Sequence, residues 1–130
     1  MIKLKYSIFL LFFTLSTALI GCDEGGSVCD PATELTGTKW YKFTTSTEDR
    51  AVYEFNSCGS GKYSIQYLDG GSWYNVTGMP LEGSYESENG VCTFFAASSN
   101  YGFEYDYSGG VLVITNSYVN SNLEGAWTQL

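Results

Sequence analysis

The sequence predicts an all-β domain, a small antiparallel up-and-down β-barrel of about eight strands, and three observations predict it. Eleven Tyr, eight Phe and three Trp make the chain 17% aromatic, beside fifteen Gly. Aromatic side chains suit a pleated, half-buried surface, and Gly supplies the turns between strands. Short aromatic or β-branched runs recur at roughly ten-residue spacing, each bounded by turn residues. No stretch of helix length carries apolar positions at i, i+3, i+4 and i+7. Closing such a sheet on itself removes its exposed edges, which favours a barrel; a two-sheet β-sandwich is the alternative.

The first element precedes the strands. Met1 to Lys5 carries two positive charges, and an apolar run from Ile8 to Ile20 follows, interrupted only by Thr14, Ser16 and Thr17. It is shorter than the roughly 20 residues that span a bilayer, which identifies a signal peptide rather than a membrane helix. The run ends Leu19-Ile20-Gly21-Cys22, which resembles a lipobox. A small residue lets the peptidase approach the backbone, and the cysteine thiol accepts the lipid. The expected organisation is a signal peptide at 1–21, a lipidated cysteine with a flexible acidic tether at 22–34, and a barrel at 35–130. Buried acyl methylenes, each worth about 0.8 kcal/mol, give a palmitate-type anchor its hold. Asp23-Glu24 directly after the cysteine resembles the export signal that sends lipoproteins of the Bacteroidetes to the outer face of the outer membrane.

The strands follow at 38–45, 51–56, 62–68, 81–87, 91–97, 101–107, 111–116 and 125–129. Tyr63, Ile65 and Tyr67 share one face opposite Lys62, Ser64 and Gln66. Phe103, Tyr105 and Tyr107 oppose Glu104 and Asp106, and Tyr53 and Phe55 oppose Glu54 and Asn56. Each strand therefore has one dry and one wet face. Cys58-Gly59-Ser60-Gly61, Glu88-Asn89-Gly90 and Ser108-Gly109-Gly110 supply hairpin turns. Residues 69–80 are expected as a long loop or strand extension; Asp69-Gly70-Gly71 turning into a ninth strand at 72–77 is the alternative.

These elements resemble a family. Leu35-Thr36-Gly37-Thr38-Lys39-Trp40 opens the first strand much as a Gly-x-Trp element opens lipocalin-like barrels. Phe55 to Tyr63, Gly83-Ser84-Tyr85, Gly110 to Ile114 and Trp127 continue the series. Over residues 35–130 the chain resembles the short lipocalin-like (calycin-type) lipoproteins of the Bacteroidetes. The resemblance implies a non-catalytic binding or accessory module for a small apolar molecule, a glycan or an envelope protein. Here the spacing is Gly-x-x-Trp, and the single arginine, Arg50, lies early in the chain.

Charge narrows the partners. Without residues 1–21, four basic residues face fourteen acidic ones, a net of −10. Such a body repels phosphate backbones and anionic lipid heads, so no nucleic acid is expected, and the membrane is reached through lipid on Cys22. The localisation implied is the bacterial cell envelope, at the outer membrane and on its outer surface.

After lipidation Cys29, Cys58 and Cys92 remain, and an exported protein oxidises its thiols. In an eight-strand barrel all three fall at one end. A Cys58–Cys92 disulfide is expected, with Cys29 free; either pairing of Cys29 is an alternative, and a ninth strand would exclude the first choice.

No histidine occurs in the chain, which removes Ser-His-Asp and Cys-His chemistry. Glu86 with Glu88, and Glu104 with Asp106, pair carboxylates on one strand face, read as solvated surface rather than a glycosidase dyad. The expectation is no enzyme, no cofactor and no metal. At the barrel end opposite the cysteines, Trp73, Tyr74, Tyr101 and Tyr118 lie near Asn75, Asn100, Asn120 and Asn122. Aromatic faces beside amides suit sugars or amphipathic molecules, so those four rings are the candidate ligand-binding residues.

Overall fold

The structure, a computed structural model, describes residues 33–130. The leader, Cys22 and Cys29 lie outside the described residues. Among the described residues ten strands form: β1 (Thr38–Phe43), β2 (Asp49–Phe55), β3 (Ser60–Asp69), β4 (Ser72–Asn75), β5 (Leu81–Glu88), β6 (Val91–Ala96), β7 (Ser99–Asn100), β8 (Phe103–Ser108), β9 (Val111–Ser117) and β10 (Gly125–Gln129). Every pairing is antiparallel. The order β2-β1-β10-β9-β8-β6-β5-β3 closes through β2 against β3, giving an eight-strand barrel with β4 and β7 as additional pieces.

The two additional strands explain each other. β4 pairs with the far half of β3, Gln66 to Asp69, while β5 pairs with its near half, Ser60 to Tyr63. Both run antiparallel to β3, so β4 and β5 occupy one strand position in tandem. Residues 76–80 interrupt it, with Gly78 at φ 88° and a cis Met79–Pro80 bond. β7 and β8 share a position against β6 in the same way. The alternative for this segment is what forms: Asp69-Gly70-Gly71 turns a hairpin into a strand within 72–77, and because β4 shares its position with β5 the barrel keeps eight positions.

Turn chemistry sets the hairpins. Gly70-Gly71, Asn89-Gly90 and Gly109-Gly110 all have positive φ at both positions, the type I′ pattern that matches the twist of paired strands. Ala97-Ser98 does the same at φ 47° and 64° without a glycine. Gly102 is needed for close approach, because a Cβ there would lie 2.1 Å from the Cys92 carbonyl oxygen.

One barrel end is sealed by the turn before β1. Leu35 is fully buried there, its carbonyl accepts from Thr38 Oγ1 at 2.6 Å, and Trp40 Nε1 donates to the same Thr38 hydroxyl oxygen at 2.7 Å. Tyr105 donates its hydroxyl to Glu34 Oε1 at 2.7 Å, and Tyr85 donates to the Asn56 carbonyl at 2.9 Å. Here the Leu35–Trp40 element closes the barrel as well as opening it.

The expected Cys58–Cys92 bridge is not formed. Cys92 is a free, fully buried thiol on the inward face of β6, in register with Ser87 and Phe103. Cys58 sits exposed on the 3₁₀ turn Ser57–Gly59. Both lie at the expected end of the barrel, but one side chain points into the core and the other to the surface. Burial without a compensating charge pushes the Cys92 thiol up to about 12.

Candidate functional site

The barrel interior is built of rings. Tyr53 stands at its centre, with Tyr63 at 4.9 Å, Phe103 at 5.0 Å, Trp127 at 5.3 Å, Phe55 at 5.8 Å and Phe94 at 6.0 Å between ring centroids. Its hydroxyl donates to the Tyr101 carbonyl. Burial first, then the neighbouring Tyr63 and Cys92, holds the Tyr53 pKa well above its ordinary value. No buried side-chain nitrogen or oxygen among the described residues lacks a hydrogen-bond partner. The interior is a packed, satisfied core.

The four rings expected to form one site do not meet. Tyr101 packs against the core, stacked on Tyr63 at 5.3 Å. Tyr74 leans on Tyr67 at 5.9 Å and is half exposed. Tyr118 sits apart near Glu104, its hydroxyl 3.4 Å from Oε1, where desolvation and that carboxylate raise its pKa. Trp73 faces another way again, onto the outer wall.

There a second set of residues converges. Tyr41 and Phe43 alternate with the buried Trp40 and so point outward on β1. On β2 the outward positions are Arg50, Val52 and Glu54; on β3 they are Lys62, Ser64, Gln66 and Leu68. Register brings Phe43 opposite Arg50, Arg50 opposite Gln66, Gln66 opposite Asn75 and Leu68 opposite Trp73. The Arg50 guanidinium carbon lies 4.1 Å from the Trp73 ring centre and 5.2 Å from that of Tyr41. Phe43 adjoins both rings, at 6.2 Å from Trp73 and 5.4 Å from Tyr41.

Amides complete the wall. Arg50 Nε donates to Gln66 Oε1 at 2.8 Å, and Gln66 Nε2 donates to Asn75 Oδ1 at 3.0 Å. Val52, 2% exposed, belongs to this face and not to the interior cluster. An outward valine this buried means that the long side chains around it form a continuous cover. Partial burial against the rings lowers the Arg50 pKa, the nearby Tyr41 opposing the shift, yet a guanidinium remains charged throughout the physiological range.

Of these residues the sequence singles out Trp73 and Asn75, expected at the rim, and gives Tyr41, Phe43, Arg50 and Gln66 no part in the site. The signal was present in the alternation of Tyr41 and Phe43 with Trp40. Among the described residues no group of three or more Cys, Asp or Glu side chains is placed to hold a metal ion. No family model matches the chain, and no curated protein or solved structure does.

Proposed function

We propose that this chain is a lipid-anchored protein of the bacterial cell envelope, held at the outer membrane through Cys22 and displayed on its outer surface. Its lipocalin-like barrel serves as a non-catalytic binding module that recognises a glycan or an envelope partner on its outer wall. The observation that carries the reading is the contrast between a core filled around Tyr53 and a wall where Tyr41, Phe43 and Trp73 gather around Arg50. An eight-strand barrel either holds one small ligand or fills with side chains. This one is filled, so a small apolar molecule inside it fits least well among the partners that the sequence suggests.

The same packed core supports a second reading, a purely structural or interaction lipoprotein without a ligand. One measurement tests the anchor that both readings share, and a second separates them. Mass spectrometry of the protein extracted from cells is expected to find Cys22 at the new N-terminus, carrying acyl chains. Thermal-shift screening against lipids and glycans is expected to give saturable stabilisation with a glycan. A bare residue 22 would remove the anchor, and a flat screen would favour the structural reading.

A further inference from the structure

Arg50 is the only arginine in a chain with fourteen acidic residues, yet among the described residues it has no carboxylate partner. The two ion pairs on this wall are Lys39–Glu54 and Lys62–Glu82, each at 3.4 Å. The adjacent carboxylate, Asp49, is occupied elsewhere: its Oδ2 accepts from Ser46 Oγ at 3.1 Å and Thr45 Oγ1 at 3.3 Å. Among the described residues only Nε–H of the five guanidinium donors is used, on Gln66 Oε1. The terminal pair of nitrogens is left as a planar fork, held in place by rings rather than by an anion.

We propose that this fork and the rings around it bind a carboxylate-bearing sugar, a uronic acid unit in an acidic glycan. The proposal rests on the reading of the barrel as a glycan- or partner-binding module and names its ligand class. A carboxylate matches the guanidinium fork with two parallel charge-assisted hydrogen bonds. The apolar face of a pyranose ring matches the aromatic surface of Phe43 and Trp73, of which Phe43 is 41% exposed. Asn75 is exposed, and its Oδ1 is engaged by Gln66, so its amide N–H groups remain for sugar hydroxyls. The charge arithmetic favours an isolated sugar acid: one carboxylate meets one arginine, whereas a dense polyanion, phosphate or carboxylate, meets a body of net −10.

Titration calorimetry on the full chain in detergent micelles tests this, with three probes: a galacturonic acid trisaccharide, its methyl ester and a neutral galactose trisaccharide. Saturable binding of the acid is expected, with the ester and neutral sugar weaker by about tenfold or more. Arg50→Gln and Trp73→Ala are each expected to weaken acid binding by about tenfold, with Arg50→Lys in between, since it keeps charge but loses the fork. Because the probe comparison uses the unaltered protein, a variant that misfolds does not spoil the test. Absence of saturable acid binding, equal binding of the ester, or no effect of Arg50→Gln in a folded protein overturns the proposal. So does equal competition by an acidic peptide, which would mark a protein-docking wall. If a neutral glycan alone binds, this inference fails while the binding-module reading stands.

Discussion

Tyr53, at the centre of the barrel, donates its hydroxyl to the backbone carbonyl of Tyr101, tying β2 to the link between β7 and β8 across the core. That carbonyl lies where the strand position shared by β7 and β8 is broken. The bond satisfies a backbone acceptor that an unbroken ladder would have paired. Tyr53→Phe keeps the ring and removes the donor, so a loss of about 1–2 kcal/mol is expected in urea unfolding. Tyr53→Ala removes the ring that five others touch, and a loss of about 3–5 kcal/mol is expected.

Alkaline pH should unfold the protein. Cys92, Tyr63 and Tyr105 are each pushed up to about 12, chiefly by burial, from ordinary values of 9.0 for the thiol and 10.0 for the phenols. The folded chain therefore holds these protons more tightly than the unfolded one. Their contribution to stability is complete below about 9 and is lost as pH rises toward 12. Melting temperatures measured across that range are expected to fall steadily. A flat profile would contradict the burial of these groups.

The Ala97-Ser98 turn holds two ordinary L-residues at positive φ, each at a cost of about 1 kcal/mol. Replacing the pair by Asn-Gly should relieve most of that strain. A rise in stability of about 1 kcal/mol is expected by chemical denaturation, with no change in strand content by circular dichroism.

Gly83 is a close-approach position of a different kind. A Cβ there would lie 2.0 Å from the Phe95 carbonyl oxygen, and backbone cannot move aside as a flexible side chain can. Gly83→Ala is expected to destabilise by about 2–3 kcal/mol or more, read as an earlier urea midpoint.

Cys92 should be inert to a thiol reagent in the native protein and react once on unfolding. It is 0% exposed and free, and the thiolate that attacks such reagents is suppressed by burial. Rapid labelling of Cys92 under native conditions, located by peptide mapping, would contradict the inward placement.

Much of the barrel was legible because composition and alternation constrain faces directly. Period alone turns Tyr63, Phe103 and Tyr105 to the dry face, and all three are buried. The Gly-containing turns were visible for the same local reason, whereas Ala97-Ser98 carries no residue that favours positive φ and gave no signal. What alternation cannot supply is register. Alternation with Trp40 is enough to turn Tyr41 and Phe43 outward, but Trp73 lies in a stretch expected as a loop or strand extension. That they surround Arg50 depends on which residue faces which across β1, β2, β3 and β4. Cys92 shows the same gap: chain order gives the barrel end, but the direction of one side chain decides whether a sulfur can be reached.

The β3–β4 hairpin that carries Trp73 and Asn75 is not required for closure, since β5 alone meets the near half of β3. One stretch of chain thus lends the wall its indole and amide while another keeps the cylinder shut. Replacements between 70 and 78 can therefore alter what the wall prefers at little risk to the scaffold. Sequence change has room there to remodel the wall without loss of the barrel.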